Sequence, residues 1–349
     1  MVRRGLLPAL VLAAVVIGGC SGDDDGGASP APSGDSSSAT ATSSPAATTA
    51  QGSLEWQALA PVPTPRSEVA VAELGGQIYV IGGLLPSGGT ARKVEAYDPA
   101  ADSWQEVEPL PEPRHHAAAI GHQGKLYVFG GYLVSFNAPT NTVFEYDPAT
   151  GLWSDVAQMP RVRGGHAVAE AGGKIYLIGG AAPGPVDAPV NIAEVDVWDP
   201  ATGEWSAAAP LPTARDHLGV AVVDGLIYAL GGRIEIDYGL NLDANEAYDP
   251  AADAWSALAP LPTARSGHAV AALDGAVYAI GGEGLGGTFD TNEAYDAAAG
   301  TWLVMPSLPT PRHGMGAAVS GGFIYVPAGG PTPGLSATGA NEALGVVAP

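Results

Sequence analysis

The chain has 349 residues, with 36 acidic side chains against 14 basic ones and a formal net charge of −22. A protein of this sign repels phosphate backbones and anionic lipid headgroups, which excludes nucleic acid as a partner and excludes electrostatic adsorption to a membrane. Only 14% of the residues are charged, whereas 49 are glycine and 31 are proline, a composition typical of short strands joined by many turns.

The N-terminus has the organisation of an export signal. Two arginines precede the apolar run Leu6 to Ile17, which is too short to span a bilayer and has the length of a signal-peptide core. The run ends in "IGGC", where Cys20 is the only cysteine of the chain. This segment resembles a bacterial lipobox, which implies removal of residues 1–19 and lipidation of Cys20. An ordinary cleaved signal with a coincidental cysteine is the alternative.

Residues 20–52 are predicted to be a lipidated cysteine followed by a disordered tether. Beyond Cys20 the segment is rich in Ser, Ala, Gly and Asp and contains no aromatic or large aliphatic side chain. Such a sequence cannot bury enough apolar surface to offset the entropy lost on ordering. We therefore expect one folded domain, residues 53–349, joined to the outer face of the cell membrane only through the lipid.

The rest of the chain repeats a pattern about every fifty residues. An apolar strand closed by a glycine doublet recurs, as in "QIYVIGG" from Gln77 and, with one inserted residue, "FIYVPAGG" from Phe323. In most periods an aromatic–aspartate pair and a tryptophan follow, as at Tyr97, Asp98 and Trp104. Each period begins with an arginine: Arg66, Arg114, Arg163, Arg215, Arg265 and Arg312. A persistent period of this length indicates a repeat architecture.

Each period contains four short strand-like runs joined by tight turns. Asp224-Gly225 is a two-residue hairpin turn, because both positions tolerate positive φ. One antiparallel meander of this size cannot bury its own faces, so we expect the periods to pack radially as blades. The recurrent tyrosines and tryptophans are predicted to pack between blades.

The joint pattern of arginine, Gly-Gly, Tyr-Asp and tryptophan resembles the kelch repeat over residues 53–349. The resemblance implies an all-β, six-bladed kelch-type β-propeller with four antiparallel strands per blade. Trp56 precedes the first arginine and the last period ends without a tryptophan, so we expect the N-terminal strand to complete the last blade and close the ring. Pro327 and Ala328 are expected to lengthen the second strand of the sixth repeat.

The loops on one face of the ring vary in length and content, as binding loops on a rigid scaffold do. The six repeat arginines begin the innermost strands at this face, and they are half of the 12 basic residues left without Arg3 and Arg4. They are candidate ligand-binding residues for an anionic group. The other candidates are the loop aromatics Tyr132, Phe136, Tyr238 and Phe289.

Alternatively, the arginines are neutralised within their blades. Carboxylates occupy a matched third-strand position in five of the six repeats: Glu95, Asp196, Glu246, Glu293 and Glu342. The second blade has Phe144 at this position, which makes Arg114 the exception. An architectural role for the arginines is favoured because motif arginines of repeats are more often structural.

No catalytic residue, metal site or cofactor is predicted. Six of the seven histidines stand one, two or three residues after the arginines, and side chains alternate along a strand, so these offsets do not predict a common ring of ligands. The copper chemistry of the kelch-like galactose oxidase needs a cysteine, and the sole cysteine is assigned to the lipid anchor.

The sequence favours a monomeric, non-catalytic binding or scaffold module that recognises a protein or a glycan at the variable-loop face. One alternative, from resemblance to N-acetylneuraminate epimerase, is an epimerase or mutarotase of an acidic sugar. It requires a closed pocket with an arginine and a carboxylate or histidine that the blades leave unpaired. The other alternative is a purely structural envelope component, in which all six arginines are locked in ion pairs.

Overall fold

The computed structural model describes residues 53–136, 138–184, 188–235 and 237–347. The predicted signal peptide and the tether with Cys20 lie outside these residues, and their assignments stay predictions. Among the described residues no helix is long and apolar enough to cross a membrane.

Six four-stranded antiparallel sheets form the blades of the propeller. Blade 1 consists of β2 (Ala70–Leu74), β3 (Gln77–Ile81), β4 (Val94–Asp98) and β5 (Ser103–Val107). Blade 2 consists of β6 (Ala118–His122), β7 (Lys125–Phe129), β8 (Thr142–Asp147) and β9 (Leu152–Gln158). Blade 3 consists of β10 (Ala167–Ala171), β11 (Lys174–Ile178), β14 (Val195–Asp199) and β15 (Glu204–Ala208).

The remaining blades repeat this order. Blade 4 consists of β16 (Gly219–Val223), β17 (Leu226–Leu230), β18 (Asn245–Asp249) and β19 (Ala254–Ala257). Blade 5 consists of β20 (Ala269–Leu273), β21 (Ala276–Ile280), β24 (Asn292–Asp296) and β25 (Thr301–Val304). Blade 6 consists of β1 (Ser53–Ala58), β26 (Ala318–Ser320), β27 (Phe323–Pro327) and β28 (Asn341–Val347). Two small loop hairpins are β12 (Ala181–Pro183) with β13 (Pro189–Asn191), and β22 (Glu283–Gly284) with β23 (Gly287–Thr288).

The N-terminal strand closes the ring, as the sequence predicts. β1 pairs antiparallel with β28, with Ser53 opposite Val347 and Ala58 opposite Glu342. The strand order of blade 6 is therefore β1-β28-β27-β26. The two ends of the described chain are tied together, and the last blade has no missing outer strand.

Burial follows the position of each strand in its blade. The second and third strands carry almost continuous buried residues, whereas the outer strands expose most of theirs. The repeated aromatics pack where expected: the rings of Tyr79 in blade 1 and Tyr146 in blade 2 lie 6.3 Å apart. The indole nitrogen of Trp153 donates to the carbonyl oxygen of Glu108 at 2.8 Å, joining blade 2 to the end of blade 1. These contacts confirm the predicted packing between blades.

The glycine doublets join neighbouring blades through the backbone. The amide of Gly83, at the end of the second strand of blade 1, donates to the carbonyl oxygen of Arg114 in blade 2 at 2.7 Å. The same bond recurs around the ring and ends with the amide of Gly329 donating to the carbonyl oxygen of Arg66 at 2.8 Å. Both glycines of the first doublet, Gly82 and Gly83, have positive φ, which favours glycine.

The sixth repeat departs from our expectation. β27 has five residues, as the second strands of the other blades have, so Pro327 and Ala328 do not lengthen it. Ala328 takes the place of the first glycine with a φ of 62°, and Gly329 takes the place of the second. The doublet written Gly329-Gly330 in the sequence is therefore shifted by one residue relative to the structural doublet.

Replacing Gly82 by alanine is predicted to destabilise the fold by about 3 kcal/mol. The added methyl group would overlap the carbonyl oxygen of Arg114, and the positive φ of Gly82 is strained for alanine. Gly76→Ala is the matched control, since Gly76 also has positive φ but has nothing within 4 Å of an added methyl group. It should cost about 1 kcal/mol. Urea unfolding measures both, and equal losses would contradict a blade-joining role for the doublet.

Candidate functional site

The six repeat arginines lie inside the blades. Each is at most 1% exposed. In five blades the guanidinium contacts the third-strand carboxylate, as in Arg66 with Glu95 at 3.0 Å and Arg215 with Glu246 at 2.7 Å. The other three pairs are Arg163 with Asp196, Arg265 with Glu293 and Arg312 with Glu342. Burial lowers the pKa of Arg66 to about 10, and Glu95 opposes the shift.

Arg114 is the exception that the sequence indicates. Its guanidinium lies 5.0 Å from the ring centroid of Phe144, which occupies the carboxylate position. Its carboxylate partner is instead Glu112 at 2.9 Å, whose side chain is 55% exposed. All six guanidinium groups are thus engaged by groups of the propeller itself, and the site described below is built on other residues.

The residue two positions after each arginine forms a ring around the propeller axis. All six have φ between 51° and 64°: Glu68, His116, Gly165, His217, Gly267 and Gly314. Backbone hydrogen bonds link these residues in blade order. In the first, the amide of His116 donates to the carbonyl oxygen of Glu68 at 3.0 Å, and in the last, the amide of Gly314 donates to the carbonyl oxygen of Gly267 at 2.8 Å. Three blades have glycine at this position, and the other three place the side chains of Glu68, His116 and His217 close together.

The expectation that the histidines do not converge is wrong for three of them. It assumed strand alternation, but the left-handed residue turns the chain before the innermost strand begins. His116 and His217 therefore reach the same point from blades 2 and 4. His313, one residue after its arginine, also reaches it from blade 6, with its Nε2 atom 3.4 Å from the Oε1 atom of Glu68.

The ring forms the floor of a cavity that opens on the variable-loop face. We call this cavity the funnel. Its volume is about 160 Å³. Five residues with ionisable side chains line its lower part: Glu68, His116, Arg233, Glu283 and His313. The loops supply an upper collar that includes Leu84, Phe136, Tyr238 and Leu335. On the other side of the floor the channel is lined by small and aliphatic residues of the innermost strands.

Glu68 is the centre of the floor. Its Oε2 atom lies 3.1 Å from Nε2 of His116 and 3.8 Å from Nε2 of His217. Burial of this carboxyl opposes its ionisation, but the charges of His116, His217 and further neighbours outweigh burial and lower its pKa to about 2. Burial, opposed by Glu68, lowers the pKa of His116 well below its usual value.

Arg233 is the basic side chain of the funnel wall, and it belongs to no repeat motif. Its Nη1 atom donates to Oε1 of Glu283 at 2.8 Å, and its Nη2 atom donates to Nε2 of His217 at 3.0 Å. Its Nε atom lies 3.4 Å from Oδ1 of Asp216. Arg233 is the only fixed cation among the described lining residues of the funnel, and it is shared between two carboxylates and an imidazole.

Three of the four candidate aromatics lie at the funnel or behind it. Phe136 and Tyr238 line the collar, and Phe136 packs 5.1 Å from the ring of His116. Tyr132 is 2% exposed and stacks on His115 at 5.3 Å, so it supports the wall from behind. Phe289 is not among the funnel residues, and its ring centroid lies 5.8 Å from the guanidinium of Arg265.

Sequence reasoning missed Glu68, Arg233 and Glu283. Glu68 has the same offset from its arginine as His116 and His217, and this common offset was an available signal. Arg233 and Glu283 each follow a glycine doublet directly, at a position that varies from blade to blade. Because the residue at this position varies, the repeat fold does not require a particular side chain there. This variation is the signal that could have indicated Arg233 and Glu283 as functional residues.

Fold and repeat contacts define a kelch-type β-propeller, and comparison with known proteins agrees. Residues 34–232 and 165–338 match the KLHDC2/KLHL20/DRC7 Kelch-repeats domain. The chain belongs to this kelch-repeat family.

Similarity to individual proteins is shorter or more distant. The chain is 47% identical to Kelch-like protein 35 of Mus musculus over 47 residues, which are 14% of this chain and 8% of that protein. It is 56% identical to Kelch-like protein terF of Aspergillus terreus over 36 residues, 10% of this chain and 8% of that protein. The solved structure of YjhT is similar in fold, with a TM-score of 0.70 and 20% identity over 81% of this chain and 95% of that one.

Removing the carboxylate of a buried arginine–carboxylate pair is predicted to lower the free energy of unfolding far more than removing the half-exposed carboxylate that contacts Arg114. Glu293→Ala leaves the guanidinium of Arg265 buried without its carboxylate and should destabilise the fold by about 3–5 kcal/mol. Glu112→Ala removes the half-exposed partner of Arg114 and should cost less than about 1 kcal/mol. Urea unfolding of both variants is the measurement, and a costly Glu112→Ala would contradict the architectural distinction between the two arginines.

His268 is predicted to make stability depend on pH. It is 5% exposed, and burial, with Arg265 and Arg215, lowers its pKa to about 3 from 6.5. As pH falls from 6.5 towards 3, His268 is protonated in the unfolded chain but stays neutral in the folded chain. The free energy of unfolding therefore decreases by about 1.4 kcal/mol per pH unit in that window. Urea titrations from pH 6 to pH 4 should show a shallower decline for His268→Gln than for the wild type. Parallel declines would contradict the assignment.

Proposed function

We propose that this protein is a non-catalytic recognition module that binds a protein partner at its variable-loop face, with one side chain of the partner entering the funnel. The observation that carries the proposal is the exposure of large apolar side chains on the loops around the mouth of the funnel. Kelch domains generally mediate protein binding, and the proposal assigns that role to the variable-loop face of this propeller.

The exposed apolar residues come from the loops of five blades. They are Val134, Phe136, Val190, Tyr238, Leu240, Leu285 and Leu335, with exposures from 38% to 81%. A monomeric protein rarely exposes large contiguous apolar patches unless they bind something. Aromatic and aliphatic anchors around a polar centre are also the usual composition of a protein interface.

The loops that carry these residues are held together by hydrogen bonds between blades. The side chain of Asn241 in the blade 4 loop donates to the carbonyl oxygen of Glu283 in the blade 5 loop at 2.5 Å. The hydroxyl of Thr288 in blade 5 donates to the carbonyl oxygen of Pro331 in blade 6 at 2.9 Å. A collar fixed in this way supports binding without a large ordering cost.

The size of the funnel sets the size of the group that it receives. At about 160 Å³ it is smaller than the 300–1,000 Å³ that is usual for sites enclosing a whole small-molecule ligand. It therefore fits a single protruding side chain, and the remaining contacts would fall on the collar. An anionic group is not specially favoured, because Arg233 already contacts Glu283 and the repeat arginines lie inside the blades.

Display on the outer face of the cell membrane is part of the proposal. In this proposal the lipobox-like segment ending in Cys20 supplies the membrane anchor, and the tether after it holds the propeller away from the membrane surface. Two or more acyl chains on Cys20 would hold the protein stably at a membrane surface.

An epimerase or mutarotase of an acidic sugar is the second candidate, and one observation favours it. The funnel is enclosed and contains an arginine, carboxylates and histidines that the blade pairs do not use. The purely structural alternative is consistent with the arginines, since each contacts a carboxylate. It gives no reason for the charged groups of the funnel.

A substitution in the collar tests the recognition role. Arrays of peptides and of glycans should be probed with the wild type, with Leu335→Asp and with Leu303→Asp. Leu335 is 58% exposed in the collar and Leu303 is 50% exposed on the outer strand β25, so the two changes are matched in chemistry and exposure. We expect peptide ligands whose affinity falls at least tenfold with Leu335→Asp and is unchanged with Leu303→Asp. Equal affinities for all three proteins would contradict the proposal.

The second candidate needs a separate assay. Proton NMR of N-acetylneuraminic and glucuronic acids reports the exchange between ring anomers directly. The recognition role predicts the same exchange rate with and without the protein. Acceleration by the wild type that is lost in Glu68→Gln would favour the enzyme instead.

A further inference from the structure

The floor of the funnel gathers the donor atoms of a metal centre. Glu68, His116 and His217 each offer one donor atom, and these three atoms all lie within 4.8 Å of one another. The imidazoles are 3% and 5% exposed, and the carboxylate is 11% exposed. Imidazole nitrogen with carboxylate oxygen is a donor set that suits zinc and other divalent transition metals.

The separations of these atoms match a tetrahedral ion. Zinc bonds to imidazole nitrogen and carboxylate oxygen at about 2.0–2.2 Å, so two ligand atoms at a tetrahedral angle lie about 3.4 Å apart. The observed separations of Glu68 Oε2 are 3.1 Å from His116 and 3.8 Å from His217. These two separations bracket the tetrahedral value.

The opposite nitrogens of the imidazoles lie beside polar groups, and that of His116 is hydrogen-bonded. Nδ1 of His217 lies 3.3 Å from Oδ1 of Asp216, and Nδ1 of His116 shares a 2.6 Å hydrogen bond with Nδ1 of His115. Metal-binding histidines characteristically place the nitrogen that does not bind the metal against a carboxylate, carbonyl or similar group, which fixes the tautomer. Both rings place Nε2 next to the carboxylate of Glu68.

His313 places a further nitrogen atom beside the cluster. It is fully buried, and its Nδ1 atom is hydrogen-bonded to the carbonyl oxygen of Gly330 at 3.1 Å, so Nδ1 carries the proton. Its Nε2 atom has no hydrogen-bond partner among the described residues and faces Glu68 at 3.4 Å and Glu283 at 3.6 Å. This buried nitrogen, placed between two carboxylates, is a further donor atom at the edge of the cluster.

The charge balance points the same way. Arg233 contacts Glu283, lies near Asp216 and donates to Nε2 of His217, so an ion bound at this nitrogen takes the place of that hydrogen bond. Among the described residues, the carboxylate of Glu68 has only imidazoles within ion-pair distance. Glu68 and His116 also occupy left-handed backbone positions where other blades have glycine, and a non-glycine residue there is strained. Retention of strain at converging polar side chains is characteristic of functional sites.

We propose that Glu68, His116 and His217 bind one divalent transition metal ion at the funnel floor, with Zn²⁺ as the best-fitting ion and His313 as a neighbouring donor within reach. This site does not depend on the proposed recognition role, because the ion would bind from solution whether or not a partner occupies the collar. Loss of collar binding and loss of metal binding are therefore separable results.

Isothermal titration of the untagged, chelator-treated full-length protein with Zn²⁺ tests the site. We expect one ion per chain with micromolar or tighter affinity, and a higher melting temperature with the metal. His116→Gln and His217→Gln should each weaken binding at least tenfold. His122→Gln is the matched control, because His122 is a buried histidine at the opposite end of β6, outside the cluster, and its affinity should equal that of the wild type.

Substitution with Co²⁺ gives a second readout that does not depend on variant stability. A Co²⁺ ion held by nitrogen and oxygen donors in a tetrahedral site absorbs strongly in the visible range, and addition of Zn²⁺ should remove the absorption. Absence of stoichiometric binding to the wild type would overturn the proposal. So would affinities that are the same in folded His116→Gln, His217→Gln and His122→Gln.

Discussion

A single arginine in each blade connects the inside of that blade to its neighbour. Its guanidinium is buried against the third-strand carboxylate in five blades, while its carbonyl oxygen accepts a hydrogen bond from the second glycine of the preceding blade. Removing the carboxylate would leave a buried charge uncompensated. A methyl group added at Gly82 would overlap the carbonyl oxygen of Arg114. The ring therefore depends on both parts of this junction, which explains why the two are repeated together.

The same junction determines what reaches the axis. The chain leaves each arginine through one left-handed residue before the innermost strand begins, and six such residues meet around the channel. Glycine suffices for this geometry in three blades, so the architecture leaves the other three positions available for Glu68, His116 and His217. A symmetric scaffold thereby carries an asymmetric cluster, and the loops above it add an apolar collar. Recognition by the collar and ion binding at the floor use different atoms of one opening.

The repeats allowed the propeller to be predicted because each structural contact is recorded six times in the sequence. The arginine spacing, the doublets and the tryptophans indicated the blades and the closure by β1, and Phe144 marked Arg114 as the exception. The floor of the funnel could not be predicted in this way. Its side chains replace glycine in only some blades, and their convergence depends on a positive φ that strand alternation does not include. Ala328 shows the same limit, since a non-glycine residue in the first doublet position looked like an insertion.

The central claim is that side chains from opposite blades meet on the axis, and a double-mutant cycle measures it most directly. Glu68 belongs to blade 1 and His217 to blade 4, and they are 3.8 Å apart only if the six blades close as described. Free energies of unfolding for Glu68→Gln, His217→Gln and the double variant should show a coupling of about 0.5–3 kcal/mol. Additive effects, within about 0.3–0.5 kcal/mol, are usual for sites more than 7–10 Å apart and would contradict the account.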